Sequence, residues 1–176
     1  MNKSTNVAIE KLECLKSGIH SKRKNIWLHQ FVHFFGNEAW IPISIGLIAA
    51  HARANKEFDN HYEIMDFQYE RMDPEKIVAQ YKDPSILAFS VYIWNVNLSL
   101  EVARLAKKKF PDTVIVFGGP SAPAGKDEAE GFLREYPFID VLVSGEGETA
   151  FLDFCLAQIK SLDLKEVLSL SWFEND

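Results

Sequence analysis

With 176 residues, 47% of them hydrophobic, and a net charge of −6, the chain has enough apolar material for one domain with a core and too little for two. The charge is small and spread out, which excludes a nucleic-acid footprint and an acidic tail. The two cysteines, Cys14 and Cys155, stand far apart in no CxxC or Cys/His ligand spacing. That excludes a chain-internal zinc or iron–sulfur site and fits a reducing, cytoplasmic home.

Residues 1–24 form a polar leader that includes the basic run "KSGIHSKRK", expected to be solvated. It carries no secretory signal, because the first apolar run begins only near Ile26. "NIWLHQFV" (25–32), rich in aromatic and β-branched residues, is expected to be the first strand. "IPISIGLIAAHARA" (41–54) is apolar at helical spacing, with Pro42 in its first turn. Its apolar part is about half of what a bilayer span needs, so no membrane partner is expected. A strand over 61–67 and a helix over 72–82 follow, the helix with Asp73 as N-cap and Pro74 at its first position.

"SILAFSVYI" (85–93) is nearly continuous in apolar residues, the pattern of a strand covered on both faces. The helix over 97–110 carries lysines in its last turn, where they suit the negative end of the helix dipole. A strand at "TVIVFGG", a helix at "KDEAEGFLREY", a strand at "FIDVLVSG" and a helix at "ETAFLDFCLAQIKSL" complete the alternation. The tail "KEVLSLSWFEND" reads either as a further short strand or as an appendage packed on the sheet. Five strands alternating with helices predict an α/β, doubly wound, flavodoxin-like (Rossmann-like) parallel sheet with helices on both faces, spanning residues 25–162.

In such sheets ligands bind beyond the carboxyl ends of the strands, so the strand-to-helix loops are where function is expected. Two of these loops are stripped of side chains: "GGPSAPAG" with Gly118, Gly119 and Pro120, and "SGEGE" with Gly145, Glu146, Gly147 and Glu148. Glycine pairs also make plain turns, but two neighbouring strand ends without bulk suit a flat ligand. No GxGxxG or GxxxxGK[ST] motif follows a strand, and Glu146 and Glu148 would repel a pyrophosphate. A phospho-receiver pocket is excluded as well. Where its aspartates and lysine should stand, the strand ends read Phe31-Val32-His33, Tyr92-Ile93-Trp94 and Ser144-Gly145.

The ordered set "IPISIGLIAAHA", "AFSVYIWN", "VIVFGGPSA" and "IDVLVSGEGE" resembles the N-terminal cobalamin-binding domain of cobalamin-dependent radical S-adenosylmethionine enzymes, over about residues 25–160. Cobalamin domains carry D-x-H-x-x-G after the first strand, S-x-L after the third and G-G after the fourth. Here Gly118-Gly119 matches, Ser90 matches with Tyr92 in place of the leucine, and His33 and Gly36 match with Phe31 in place of the aspartate. The resemblance implies that the glycines leave room for the nucleotide tail or corrin edge of the cofactor. It implies Ser90, Tyr92, Trp94, Asn95, Gly118, Gly119, Pro120, Gly145, Glu146, Gly147 and Glu148 as cofactor contacts. Tyr92 packs on the corrin or in the core; Asn95 bonds a corrin amide or caps the next helix.

His33 is the candidate metal ligand, a lower ligand of cobalt. The missing aspartate leaves it without the carboxylate that usually fixes a ligating histidine's tautomer. Radical-type members often lack this signature, so its loss is compatible with the family.

The chain has no CxxxCxxC motif, so a 4Fe-4S cluster and S-adenosylmethionine would belong to a catalytic domain, in the same chain or separate, with residues 163–176 leading toward it. The expected function is the cobalamin domain of a radical methyltransferase or cyclase, not catalytic alone. The rival is a flavodoxin-like interaction or regulatory domain with no cofactor.

Overall fold

The computed structural model describes residues 22–36 and 38–172. Most of the expected leader, with Cys14, lies outside the described residues.

The chain runs through β1 (Lys24–His29), a small hairpin of β2 (Phe34–Phe35) and β3 (Glu38–Ala39), then helices α1 (Ile43–Arg53) and α2 (Lys56–His61). It continues as β4 (Tyr62–Ile64), α3 (Pro74–Ala79), β5 (Pro84–Ser90), α4 (Val96–Lys109), β6 (Val114–Gly118) and α5 (Lys126–Glu135). β7 (Val141–Val143), α6 (Gly147–Lys160), a 3-10 turn at Leu164–Glu166 and β8 (Leu170–Ser171) complete it. The main sheet has the order β4-β1-β5-β6-β7-β8, parallel except for β8, which runs antiparallel to β7. The first five are the expected doubly wound sheet, whose order reverses between β1 and β5. The sixth strand comes from the tail.

Local chemistry explains where the elements depart from expectation. The expected loop after β1 folds into a hairpin turned at Gly36, whose φ of +61° favours glycine. The stretch after α1 does not run straight into a strand. Asn55 takes an extended conformation and its Oδ1 accepts from Glu57 N at 3.0 Å and Phe58 N at 3.1 Å, starting α2 and burying Phe58. Asp73 caps α3 as its sequence predicts, accepting from Glu75 N at 3.1 Å.

Alternation along the strands sorts side chains into two cores. Leu87, Phe89, Val91, Ile115, Phe117 and Leu142 face Ile77, Val102, Ala103 and Leu133 of α3, α4 and α5. Leu28, Ile86, Ala88, Val116, Val141 and Val143 face Ile45, Ala49, Phe58, Phe151 and Phe154 of α1, α2 and α6. Within the first core His29 is buried, stacked on Phe89 at 4.2 Å, with Nδ1 3.0 Å from Ala88 O and Nε2 2.6 Å from the Tyr81 hydroxyl. Burial holds its pKa down at about 3, against a smaller upward pull from the Ala88 carbonyl. It is therefore neutral, donating from Nδ1 to Ala88 O and accepting from Tyr81.

Candidate functional site

Strand register shows how the second face opens toward its carboxyl end. One row across the sheet reads Ile26, Ile86, Val114; the next reads Leu28, Ala88, Val116, Val141; the last reads Ser90, Gly118, Val143. Along β5 and β6 the side chains on this face shrink from Ile86 through Ala88 to Ser90, and from Val114 through Val116 to Gly118. The helices cannot close the gap, and a cavity of about 260 Å³ remains between the strand ends, α1 and α6.

Nine of the residues named from the sequence line this cavity: Ser90, Tyr92, Gly118, Gly119, Pro120, Gly145, Glu146, Gly147 and Glu148. The glycines do different jobs. Gly119 has φ +101°, and a Cβ there would stand 2.9 Å from both Val91 N and Val91 O, so the close passage of two strand ends requires it. Gly118 is not at positive φ; a Cβ there would meet Val143 Cβ and O at 3.3 Å. Gly145 turns with φ +74° and a Cβ there would meet open space, while Gly147 lies against Ile48 as α6 begins. Glu146 is exposed and Glu148 half-buried at the mouth, at the start of α6, where their charge suits the helix dipole.

Sequence reasoning missed several contributors. Ser44 Oγ is 2.7 Å from the Tyr92 hydroxyl, tying the first turn of α1 to the loop after β5. Gln30 Oε1 accepts from Ser44 N at 3.1 Å and Ile45 N at 3.4 Å, so a side chain from the end of β1 satisfies the start of α1 in place of a conventional cap. Ala88, at the cavity floor, was legible only as one more apolar residue. A signal for it existed in the shrinking alternate residues of strands β5 and β6.

The remaining candidates lie apart from the main cavity. Asn95 is buried and fully engaged: Nδ2 donates to Phe31 O and Ser90 O, both at 3.1 Å, and Oδ1 accepts from Tyr92 N at 2.8 Å. Both amide hydrogens are used, and Asn95 stands at the N-cap position of α4 without a side-chain cap bond; its side chain pins the loop after β5. Trp94 stacks on Tyr92 at 4.7 Å and packs edge-on to Trp40 at 6.4 Å. With Gln30, Val32 and exposed His33, Trp40 and Trp94 line a second cavity of about 280 Å³. Among the described residues no group of three His, Cys, Asp or Glu side chains is placed to hold a metal ion. Cys155 is buried in the core, and burial pushes its thiol pKa up, so it stays protonated and inert.

The sheet order, the reversal between β1 and β5 and a cavity at the strand ends define a doubly wound domain with a cavity where such folds bind ligands. The B12-binding domain family model matches residues 37–154, and the chain belongs to that family. It is 33% identical over 130 residues to the 2-(S-pantetheinyl)-carbapenam-3-carboxylate methyltransferase of Streptantibioticus cattleyicolor. It is 30% identical, again over 130 residues, to the cobalamin-dependent radical SAM methyltransferase TokK of Streptomyces tokunonensis. Each match covers 73% of this chain and 19% of the relative, so the chain spans a minor part of their length. Among solved structures, the cobalamin-dependent S-adenosylmethionine radical enzyme OxsB matches with a TM-score of 0.65 at 17% identity, covering 88% of this chain and 21% of that one. The response regulator RcsB of Salmonella typhimurium shares the fold at a TM-score of 0.52 and 13% identity, covering 88% of this chain and 64% of that one.

Proposed function

We propose that this chain holds cobalamin at the carboxyl ends of its strands, the nucleotide tail entering the cavity floored by Ala88, Ser90 and Gly118 and the corrin lying over the mouth. The observation that carries the reading is the cavity itself: about 260 Å³, carved by small residues at successive positions on one sheet face, at the point where strand order reverses. The residues fit the group. The walls are apolar and the mouth is bounded by the bare turn at Gly145. Large apolar side chains stand exposed on the neighbouring loops and helix start, among them Ile43, Leu47, Ile93 and Trp94.

Bound cobalamin supplies a cobalt centre able to carry a methyl group. The chain's own part is to seat and orient it. Gly119 keeps the β5 and β6 ends close, Asn95 and the Ser44–Tyr92 contact fix the loop beside the mouth, and the apolar walls exclude water from the tail. His33 is not the cobalt ligand in this reading, because it belongs to the second cavity and has Phe31 where an orienting carboxylate would stand.

The domain works with a radical S-adenosylmethionine catalytic domain that brings the 4Fe-4S cluster and S-adenosylmethionine, in the cytoplasm, as part of a methyltransferase or cyclase. The relatives' names support the methyltransferase form. The test is the visible spectrum of the purified chain after incubation with hydroxocobalamin and gel filtration. A corrin spectrum co-eluting with protein is expected. A colourless protein peak sinks the reading and favours a cofactor-free interaction domain.

A further inference from the structure

Resting on the reading that a corrinoid enters the main cavity, we infer that the hydroxyls of Ser44 and Tyr92 form a latch that holds the bound corrinoid and sets how fast it leaves. The two cavities share a wall. Ser44 and Tyr92 line the main cavity of about 260 Å³, and Gln30 and Trp94 line the second, of about 280 Å³. Gln30 Oε1 accepts from the backbone N of Ser44 at 3.1 Å, and the Trp94 ring lies on the Tyr92 ring at 4.7 Å with 14° between their planes. The wall therefore has a helix side, Gln30 and Ser44, and a ring side, Tyr92 and Trp94. The hydrogen bond of 2.7 Å between Ser44 Oγ and the Tyr92 hydroxyl joins the two sides.

Backbone and side chains differ in freedom here. The loop after β5 is fixed, because Val91 N donates to Gly118 O at 2.7 Å, Tyr92 N to Asn95 Oδ1 at 2.8 Å and Arg71 Nη1 to Trp94 O at 2.9 Å. Ser44 is held from the other side by Gln30. The rings are not locked into the core: Tyr92 is half-buried and Trp94 is 40% exposed. Side chains with this freedom change rotamer quickly unless a contact ties them, and the second cavity gives the stacked pair room to swing. The wall thus opens by a side-chain movement without a loop rearrangement, and the hydroxyl pair opposes that opening. A neutral hydrogen bond changes an equilibrium by a factor of about two to ten. The latch slows release by a factor in that range.

The experiment loads the full chain with radiolabelled hydroxocobalamin, chases with excess unlabelled hydroxocobalamin and follows release; the spectral change on mixing gives association. Tyr92→Phe keeps the ring and its stacking and removes only the hydroxyl, and Ser44→Ala removes the other partner. Each is expected to speed release about threefold to tenfold without slowing association. The double variant should release no faster than the faster single variant, since both substitutions cut the same bond. Wild-type release rates in both single variants overturn the inference, as does a double variant whose effect is the product of the two; retention by the wild-type chain then leaves the proposed function standing. A wild-type chain that retains no corrinoid overturns the proposed function and the inference with it.

Discussion

The two faces of the same strands have opposite designs. On one, Phe89 and Phe117 pack at 4.9 Å, His29 stacks on Phe89, and Phe31 is fully buried, so large rings fill the space to the helices. On the other, the intervening residues Ala88, Ser90 and Gly118 leave a cavity at the same height in the sheet. Neighbouring residues on one strand thus serve rigidity and binding in turn. The filled face holds the strand ends in place, which lets the open face stay unfilled without collapse.

That division is broken most severely from the filled side. Phe117→Ala should lower unfolding free energy by about 3–5 kcal/mol, read by urea denaturation; a loss under about 1 kcal/mol would show that the face is not close-packed. Gly119→Ala comes next, at about 2–3 kcal/mol, because it forces a side chain onto φ +101° and into the Val91 backbone. Corrinoid retention should vanish with it, and a variant of wild-type stability would contradict the close approach.

Acid probes the filled face without a substitution. His29 stays neutral in the folded chain down to about pH 3, while in the unfolded chain it takes up a proton near its ordinary value of 6.5. The unfolded state binds more protons between those values, so stability falls as pH drops through that window, by up to about 1.4 kcal/mol per pH unit. Urea midpoints measured from pH 7 to pH 4 should show this slope, and His29→Phe should flatten it; an unchanged slope would assign the acid sensitivity elsewhere. The smallest effect is expected at His33→Ala, within about 0.5 kcal/mol of wild-type stability. The bands of bound cobalamin should not move either, and a band shift would restore His33 as a cobalt ligand.

Much of this was legible in the sequence, for identifiable reasons. β5 and β6 are buried on both faces and so read as continuous apolar runs, and the Asp73-Pro74 start of α3 is a local signal that needs no tertiary context. The glycine loops were legible because Gly119 and Gly145 sit at positive φ. What stayed hidden depends on register. Ala88 becomes a floor residue only once it is aligned with Leu28 and Val116, and Gln30 serves α1 only because the hairpin brings the chain back over it. Asn95 stands at the start of α4 as its sequence allows, but the bonds its side chain makes stayed hidden for the same reason. Its partners Phe31 and Ser90 come from two different strand ends, and nothing local distinguishes a buried, three-bonded amide from one facing a ligand.

The last strand has a further consequence. β8 is two residues long, runs antiparallel to β7 and is joined to it by Ser144 N donating to Ser169 O at 2.9 Å, one residue before Gly145. Among the described residues the sheet of otherwise parallel strands thus has a two-residue antiparallel strand beside β7, which pairs Leu142 and Val143 along the outer side of β7. The same contact ties residues 169–171 to the turn that leads into the site.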